Sequence, residues 1–365
     1  MAKKNNNLNS KEIKYIKLAY EQAAINLGST KKNPSVGCVV VKNNAVISSG
    51  RTSINGRPHA EANALKYKLN FKDTDLYVTL EPCSHFGETP PCVKEIINNR
   101  IRKVIFSIND IDPRSKNLAY KKLKKAKITI KRNILIKHAK NFYKSYFLQS
   151  SKQLPLIDAK LAVSKDYLTI NKKAKWITSN KSRKVGNFLR SKYDCILSTS
   201  KTINEDNSQL DCRIEGLEKK SPSVIIIDRF FIIKKNLKIF KNIKRDIFIF
   251  TQTNNNLKER YFKKIGVKIV KLKKIGNSNN DVTQVYFLLK QFGFSRILIE
   301  SGMKYINKAL HHNLIKNFYL FRSSFKLKNN GKNNIKKNLI KKLKNTFKNK
   351  VKINLNGDSL YKIQL

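Results

Sequence analysis

One histidine, one glutamate and two cysteines constrain this chain more than any other feature of its sequence. His59 and Glu61 lie two residues apart, and Cys83 and Cys92 follow with eight residues between them. One imidazole and two thiolates can bind a metal ion and leave a fourth position open, which is the preference of catalytic zinc. The chain must therefore fold so that three separate segments meet at one ion, with a carboxylate beside them.

Glu61 favours a catalytic site over a structural one. Bound zinc lowers the pKa of water, and a glutamate two residues after the histidine ligand can carry the proton to a substrate, as in zinc deaminases. The alternative is a closed structural zinc site in which His85 supplies the fourth ligand, but such a site has no use for Glu61. Cys38 lies in an apolar run and is expected to be a small residue of a buried strand.

The charge of the chain has two interpretations. Its 77 Lys and Arg against 24 Asp and Glu give a net charge of +53, which is typical of nucleic-acid binders. However, Lys, Asn and Ile are abundant throughout, as an AT-rich coding sequence would produce, and the basic residues mostly lack the interleaved aromatic residues that stack on bases. We therefore expect drift in composition rather than nucleic-acid binding, although phosphorylated ligands remain favoured.

Length and cysteine usage indicate a two-domain protein of the cytoplasm. The chain has 365 residues, which is enough for two domains. No apolar run approaches the roughly 20 residues that span a bilayer, so no membrane association is expected, and residues 1–10 lack the apolar stretch of a secretory signal. The chain has five cysteines, and an odd number without a secretion signal argues against a disulfide framework.

Apolar spacing in the first half predicts an alternating α/β layer structure. Predicted helices lie at 11–27, 59–69, 92–99 and 117–126, and predicted strands at 36–41, 45–48, 75–80, 103–108 and 127–131. In this arrangement His59 and Cys92 each begin a helix. The partial positive charge of both helix N-termini then favours thiolates and an acidified water at the metal.

The pattern of strands and helices restarts after residue 151 and predicts a second, parallel-rich sheet. Predicted strands end near 164 and lie at 194–199, 224–228, 246–250 and 295–300, with helices at 180–192 and 305–312. A weak helical face is expected at Leu339, Ile340 and Leu343. Residues 351–354 and 360–365 are predicted to form a hairpin at the edge of the sheet.

Two runs around the metal residues carry a more specific signal. The runs 33–40 (NPSVGCVV) and 79–83 (TLEPC), with the eight residues between the cysteines, closely resemble the RibD family, whose members are bifunctional deaminases and reductases of riboflavin biosynthesis. The resemblance implies an α/β chain with a cytidine-deaminase-like three-layer domain at 1–150 and a dihydrofolate-reductase-like domain at 151–365. It further implies Zn²⁺ on His59, Cys83 and Cys92, with Glu61 as proton shuttle and Asn33 as the amide that reads the pyrimidine edge.

The second half resembles the reductase domain of the same family, which uses NADPH. The run 176–179 (WITS) and the spacing of four residues after it carry this resemblance, whereas no Gly-x-Gly-x-x-Gly is present to support a Rossmann domain. The resemblance implies an NADPH site formed by Ala162, Trp176, Thr202, Asp206 and the turn at Gly302. It implies a substrate site formed by Arg190, Leu210, Arg213 and Glu300, in which guanidinium groups suit a phosphate.

Several residues depart from the family pattern. Glu88 stands where a basic residue is usual, and the loop 110–113 keeps one proline but has lost the glycines that usually follow. In the second half Tyr167 replaces a glycine, Ala174 replaces a substrate-binding serine, and the turn after Gly302 lacks a proline and a second glycine. These positions concern substrate and cofactor binding rather than the metal ligands.

The sequence therefore predicts a bifunctional enzyme. It would deaminate 2,5-diamino-6-(5-phosphoribosylamino)pyrimidin-4(3H)-one with zinc and then reduce the ribosyl chain to ribityl with NADPH. Three alternatives stay open: a deaminase with a degenerate reductase half, a tRNA or other nucleic-acid deaminase, and a zinc-stabilised binding protein without catalysis. The expected partner is a small phosphorylated pyrimidine, and a homo-oligomer is compatible with the sequence.

Overall fold

The computed structural model describes residues 10–273, 275, 279–333 and 350–365. It divides the chain into two compact units, unit 1 (Met1–Gln153) and unit 2 (Leu154–Leu365). The predicted helical face at Leu339, Ile340 and Leu343 and the polar N-terminus before Ser10 lie outside the described residues. No helix of the described ranges combines the length and the apolar character needed to cross a membrane.

Unit 1 is built on a five-stranded mixed sheet. Its strands are β1 (Gly37–Lys42), β2 (Ala45–Arg51), β3 (Asp75–Val78), β4 (Lys103–Phe106) and β5 (Thr129–Arg132). Their order in the sheet is β2-β1-β3-β4-β5. Strand β1 pairs antiparallel with β2 and β3, and β3, β4 and β5 run parallel. The residues of β1, β3 and β4 are almost all buried, as expected where helices cover a sheet.

Six helices accompany this sheet. They are α1 (Ser10–Ile25), α2 (Ala60–Leu65), α3 (Cys92–Asn98), α4 (Leu118–Lys125), α5 (Ile136–Phe142) and α6 (Lys144–Gln149). The prediction that α2 reaches residue 69 was wrong. Tyr67 and Leu69 are about half exposed, so the segment after Leu65 has no apolar face to bury.

Two glycines set the close packing that positions the metal residues. A Cβ at Gly37 would come within 1.8 Å of the Ala19 carbonyl oxygen, and a Cβ at Gly50 within 2.2 Å of the Ala60 carbonyl oxygen. Helix α1 therefore lies directly on β1, and helix α2 directly on β2. The second contact fixes the start of α2, where Glu61 lies.

Unit 2 contains an eight-stranded, mostly parallel sheet. Its strands are β6 (Leu156–Val163), β8 (Cys195–Thr199), β9 (Ser223–Ile227), β10 (Ile247–Thr251), β11 (Lys268–Lys271), β12 (Arg296–Ile299), β13 (Asn317–Arg322) and β15 (Ser359–Gln364). The order is β11-β10-β9-β8-β12-β6-β13-β15. Only β15 runs antiparallel to its neighbour, β13. A separate two-stranded ribbon pairs β7 (Ile170–Asn171) with β14 (Gly331–Lys332).

The helices of unit 2 connect these parallel strands. They are α7 (Asn180–Arg190), α8 (Ser200–Asp206), α9 (Asn256–Lys264), α10 (Asn279–Gln291) and α11 (Met303–His311). Strand β8 leads directly into α8, and β12 leads into α11 after three residues. The N-termini of these two helices therefore lie at the carboxyl ends of neighbouring strands, where α/β sheets commonly bind ligands.

The predicted C-terminal hairpin was half wrong. Residues 360–364 do pair at the edge of the sheet, as part of β15, but residues 351–354 are not a strand. The turn before β15 lies against the start of α7. The buried Asp358 carboxylate accepts hydrogen bonds from Ser179 N (2.7 Å), Ser182 Oγ (2.7 Å) and Ser324 N (3.1 Å). These bonds hold the turn against the start of α7. Val351 N donates to the Leu360 carbonyl oxygen at 2.8 Å, but the pairing of the two segments is limited to isolated bridges.

Candidate active site

Three short segments of unit 1 bring the predicted metal residues together. His59 precedes the first residue of α2 in an extended conformation, and Cys92 is the first residue of α3. Cys83 lies in the loop after β3, and its Sγ accepts a hydrogen bond of 3.3 Å from the Cys92 backbone N–H. The first N–H of α3 thus contacts the sulfur of Cys83, as the sequence predicted for this helix.

The distances between the three ligand atoms suit zinc. His59 Nδ1 lies 3.5 Å from the Sγ of Cys83 and 3.5 Å from the Sγ of Cys92. A tetrahedral ion with its usual Zn–N and Zn–S bonds separates N and S by about 3.5 Å. In the part of the chain that the structure describes, these residues form the one group able to hold a metal. His85 instead hydrogen bonds to Ser115 Oγ at 2.9 Å, which argues against a closed four-ligand site.

The electrostatics of this centre favour the thiolate form of Cys83 and a Glu61 carboxyl that can exchange protons. The adjacent Cys92 thiol donates to Cys83, and this hydrogen bond lowers the pKa of Cys83 to about 4. Burial, followed by the charge of Cys83, raises the pKa of Glu61 to about 7. The Glu61 carboxyl lies against Cys92, with which it shares a hydrogen bond. A carboxyl in this position can both accept and donate a proton near neutral pH.

Asn33 is placed by the turn that leads to His59. Its Nδ2 donates to the Gly56 carbonyl oxygen at 3.1 Å. Gly56 has a φ of +96°, and a Cβ there would meet Asn33 Nδ2 at 2.4 Å and the Thr30 carbonyl oxygen at 2.7 Å. Only glycine fits this position, so Asn33 and the metal ligand His59 are held in register by one turn.

The loop 110–113 is closed by side chains instead of the glycines that the family resemblance led us to expect. Asp110 Oδ1 accepts from Tyr146 Oη at 2.8 Å and from the Asp112 N–H at 3.1 Å. Glu81 Oε2 accepts from the N–H groups of Asp110 and Asn117, both at 3.1 Å. Burial raises the pKa of Asp110. The loop is therefore tied to the segment that carries Cys83.

Glu300 and Arg190 form the centre of the candidate substrate site in unit 2. The Arg190 guanidinium meets the Glu300 carboxylate through Nε to Oε1 (2.6 Å) and Nη2 to Oε2 (3.0 Å). Lys160 Nζ lies 3.5 Å from Glu300 Oε2. Burial acts to raise the pKa of Glu300, but the charges of Arg190 and Lys160 outweigh it and hold this pKa at about 2. The Glu300 carboxylate therefore stays ionised at the carboxyl end of β12, between two cationic side chains.

Thr202 and Gly302, two residues of the predicted cofactor site, are in contact. Thr202 Oγ1 accepts a hydrogen bond of 3.0 Å from the Gly302 N–H. The hydroxyls of Thr199 and Ser301 lie within 3.3 Å of the same oxygen. Gly302 precedes α11 and is exposed, so hydroxyls and helix N–H groups face one point, an arrangement that suits a phosphate.

Leu210 and Arg213 lie on a loop that is held by two other arginines. Leu210 has a φ of +54°, and its carbonyl oxygen accepts from Arg245 Nη1 at 2.7 Å. Arg190 Nη1 donates to the Asp211 carbonyl oxygen at 3.0 Å. Arg213 is exposed and pairs with Asp211 at 3.3 Å. The loop is thus fixed to the Arg190–Glu300 pair on one side and to Arg245 on the other.

Three further residues were predicted for the cofactor site: Ala162, Trp176 and Asp206. Ala162 is half-buried in β6 opposite Phe321 of β13. Trp176 is 52 % exposed, and its ring lies 4.8 Å from the Arg183 guanidinium. Asp206 is the exposed last residue of α8. A role for these residues remains a prediction.

The turn at Tyr167 keeps a conformation that glycine would adopt more easily. Tyr167 has a φ of +65°, and its N–H donates to the Ser164 carbonyl oxygen at 2.9 Å. Asp166 accepts from the N–H groups of Leu327 and Lys328, which holds the turn in place. A left-handed tyrosine costs about 1–2 kcal/mol. Ala174, at the other substituted position, is exposed.

Three basic residues at these sites were missed by the sequence reasoning. Arg57 contacts the loop between the cysteines, Lys160 contacts Glu300, and Arg245 holds the Leu210 loop. Lys160 left a signal, because it is the one lysine within the apolar strand β6. Arg57 is close to His59 in sequence, whereas Arg245 stands in a lysine-rich run and gave no signal.

Two family descriptions match the two units. Residues 9–108 match the cytidine and deoxycytidylate deaminase zinc-binding region, which confirms zinc as the expected metal. Residues 156–354 match the RibD C-terminal domain. Together they confirm the predicted α/β fold class, with a deaminase-like domain followed by a reductase-like domain.

Relatives and solved structures match over nearly the whole chain. The RibD proteins of Buchnera aphidicola subsp. Baizongia pistaciae and Aquifex aeolicus are 33 % and 31 % identical to it, covering 85 % and 84 % of this chain and 86 % and 85 % of theirs. Acinetobacter baumannii RibD has the same fold, with a TM-score of 0.81 at 24 % identity over 97 % of this chain and 98 % of that chain. The diaminohydroxyphosphoribosylaminopyrimidine deaminase/5-amino-6-(5-phosphoribosylamino)uracil reductase of Thermotoga maritima has a TM-score of 0.80 at 25 % identity over the same shares. By its sequence over most of its length, by both family matches and by its fold, this chain belongs to the RibD family of riboflavin biosynthesis proteins.

Proposed function

We propose that unit 1 hydrolytically deaminates 2,5-diamino-6-(5-phosphoribosylamino)pyrimidin-4(3H)-one and that unit 2 reduces the ribosyl chain of the product with NADPH. The observation that carries the proposal is the meeting of His59, Cys83 and Cys92 at zinc-binding distances, with Glu61 buried beside them. The presence of a RibD C-terminal domain in the same chain supports the second reaction. A location in the cytoplasm agrees with both reactions and remains a prediction.

In the first reaction His59, Cys83 and Cys92 would hold Zn²⁺, which would supply an activated water as the nucleophile. Glu61 takes a proton from that water and delivers it to the ring nitrogen next to the amine-bearing carbon. It then moves the proton of the newly attached hydroxyl to the leaving amine, so that ammonia departs and a carbonyl remains. Asn33, held by the turn at Gly56, donates or accepts hydrogen bonds at the pyrimidine edge.

In the second reaction NADPH would supply a hydride. The hydride goes to the first carbon of the opened ribose, which opening leaves in a C=N bond to the amine, and a proton goes to that nitrogen. Thr202 and the N-terminus of α11 at Gly302 hold the cofactor phosphate. Arg190, Arg213 and the loop at Leu210 hold the substrate, and Glu300 fixes the orientation of Arg190. Because no side chain stands out as an acid or base here, the positioning of the two reactants carries much of the catalysis.

Glu61→Gln tests the first reaction. The amide keeps the size of the side chain but cannot carry a proton, so the variant should retain one zinc per chain and lose ammonia release by at least about 100-fold. Ammonia release and zinc content are measured on the same preparation. Ammonia release at the wild-type rate would contradict the role of Glu61, and loss of zinc would show that the residue supports the metal instead.

The two half-reactions can be followed separately. Ammonia release from the diaminopyrimidine phosphate requires no NADPH, and NADPH oxidation should begin only once deaminated product is present. Ammonia release without subsequent NADPH oxidation would show that unit 2 is degenerate. A nucleic-acid deaminase would instead act on RNA or DNA with a steep dependence on salt.

A further inference from the structure

Arg57 links the segment of one metal ligand to the loop between the other two. Its Nε pairs with Glu88 Oε2 at 3.0 Å, and its Nη1 donates to Thr89 Oγ1 at 2.7 Å. Glu88 and Thr89 lie between the ligands Cys83 and Cys92. Position 88 thus carries an acidic residue, and the basic residue opposite it is at position 57.

The guanidinium lies beside the metal centre. Arg57 Nη1 is 3.4 Å from His59 Nε2, while Nδ1 of the same ring faces the two thiols. With a Zn–N bond of usual length, the guanidinium nitrogen is within about 8 Å of the metal position. When Nδ1 binds a metal, Nε2 carries the ring proton and cannot accept from Arg57. The His59 ring then accepts no hydrogen bond from the Arg57 guanidinium.

The contact with Glu88 is weak enough to be displaced. The Glu88 side chain is 82 % exposed, whereas that of Arg57 is 26 % exposed. Ion pairs in which one partner is this exposed contribute little to stability. Nη2 makes no hydrogen bond to any residue that the structure describes. It lies 3.2 Å from the place of a Cβ on Gly87, so the absence of a side chain there leaves that edge open.

We propose that Arg57 binds the phosphate of the deaminase substrate and that Glu88 competes with this phosphate for the same guanidinium. This inference rests on the proposed deaminase function. A phosphate carries more charge than a carboxylate and can accept from two guanidinium nitrogens at once. Substrate binding therefore replaces the Arg57–Glu88 pair, and Glu88 sets how tightly a phosphorylated substrate is held.

A competing Glu88 and a purely structural salt bridge predict opposite effects on substrate binding when Glu88 is removed. If the pair only clamps the cysteine loop, loss of either partner weakens the site in the same way. If Glu88 competes with substrate, its removal strengthens substrate binding, while removal of Arg57 weakens it. The two variants Glu88→Ala and Arg57→Gln therefore decide between the interpretations.

The experiment measures KM and kcat for ammonia release, with zinc content, on the full chain. Glu88→Ala should lower KM by up to about fivefold, and Arg57→Gln should raise it about 10- to 100-fold, with kcat and zinc unchanged. The double variant R57E/E88R, which exchanges the charges, should recover most of the lost affinity. Arg102→Gln is the matched control, because Arg102 forms a 2.8 Å salt bridge with Asp75 in the same unit.

Three outcomes would overturn the proposal: a higher KM in both single variants, an unchanged KM in Arg57→Gln, or loss of zinc in either. Calorimetric binding of ribose 5-phosphate to the zinc-loaded chain, with ribose as the control, separates this inference from the proposed function, because it requires no turnover. A ribose 5-phosphate binding event that disappears in Arg57→Gln supports the phosphate site even if the wild type releases no ammonia. Binding that is equal in both chains contradicts it.

Discussion

Replacing Glu300 with glutamine should make the stability of unit 2 less sensitive to acid. In the wild type the charges of Arg190 and Lys160 overcome the effect of burial and hold the pKa of Glu300 at about 2. An unfolded glutamate has a pKa of about 4.3. Because the folded pKa is the lower one, the carboxylate stabilises the fold above pH about 4.3, and this stabilisation is lost as the pH falls towards 2.

The two pKa values set the size of the effect. Their difference corresponds to about 3 kcal/mol at neutral pH. At pH 3.3, one unit below the unfolded pKa, about 1.4 kcal/mol of this has been lost. Glu300→Gln leaves Arg190 and Lys160 without their counter-charge and should lower the free energy of unfolding by about 3–5 kcal/mol at pH 6.5. The difference in the free energy of unfolding between the wild type and Glu300→Gln should be about 1.4 kcal/mol smaller at pH 3.3 than at pH 6.5.

Urea unfolding followed by tryptophan fluorescence measures this gap. Trp176 is the one tryptophan of the chain and lies in unit 2, so its emission reports on that unit. Glu215→Gln is the control, since Glu215 is exposed, and its gap to wild type should stay constant with pH. A gap for Glu300→Gln that is constant, or that widens in acid, would refute the electrostatic account of the Arg190–Glu300 pair.

Two further substitutions test how the sites are held in place. Gly56→Ala forces a Cβ to within 2.4 Å of Asn33 Nδ2 at a φ of +96°, which should cost about 1–3 kcal/mol from the backbone alone and raise the KM for deamination. Gly216→Ala, also at positive φ but with no atom within 4 Å of its Cβ, should leave ammonia release unchanged, and equal effects would contradict the steric argument. Asp358→Ala removes the acceptor for Ser179, Ser182 and Ser324. It should raise the KM for NADPH about tenfold without altering ammonia release, and an unchanged NADPH KM would show that the turn is dispensable.

The metal centre could be predicted because residue types and their spacing are enough to indicate its chemistry. Few other roles fit the pattern formed by His59, Glu61, Cys83 and Cys92. The strands around them are specified locally by buried valines and by glycines at which there is no room for a Cβ. The predicted strands at 75–80 and 103–108 correspond to β3 and β4 for the same reason. Continuous apolar runs bounded by turn residues describe buried parallel strands well.

Lysine-rich segments hid several elements from the sequence reasoning. Helices α5 and α9 and strand β11 were not predicted, because lysine and asparagine on their exposed faces extend into positions where an apolar stripe is normally read. Their few buried residues, such as Phe262 in α9, are recognisable only when the sheet they cover is known.

Contacts between distant segments could not be derived from local patterns. The sequence shows Glu88 as a departure, but only the structure shows that Arg57 lies opposite. Asp358 and Ser179 are far apart in sequence, and only the structure shows the hydrogen bond between them. Contacts of this kind depend on which side chains meet after packing. The periodicity of a single sequence gives no information about them.

The position of β6 in its sheet has a consequence for the synthesis of the protein. All strands of unit 1 lie between Gly37 and Arg132, so its sheet can close while the ribosome is still making unit 2. Strand β6 is made first in unit 2, yet its neighbours are β12 and β13, and Leu156 pairs with Arg296. At usual translation rates this apolar segment waits on the order of ten seconds for a partner. A lysine inside such a segment reduces its tendency to aggregate, so Lys160 also protects the nascent chain.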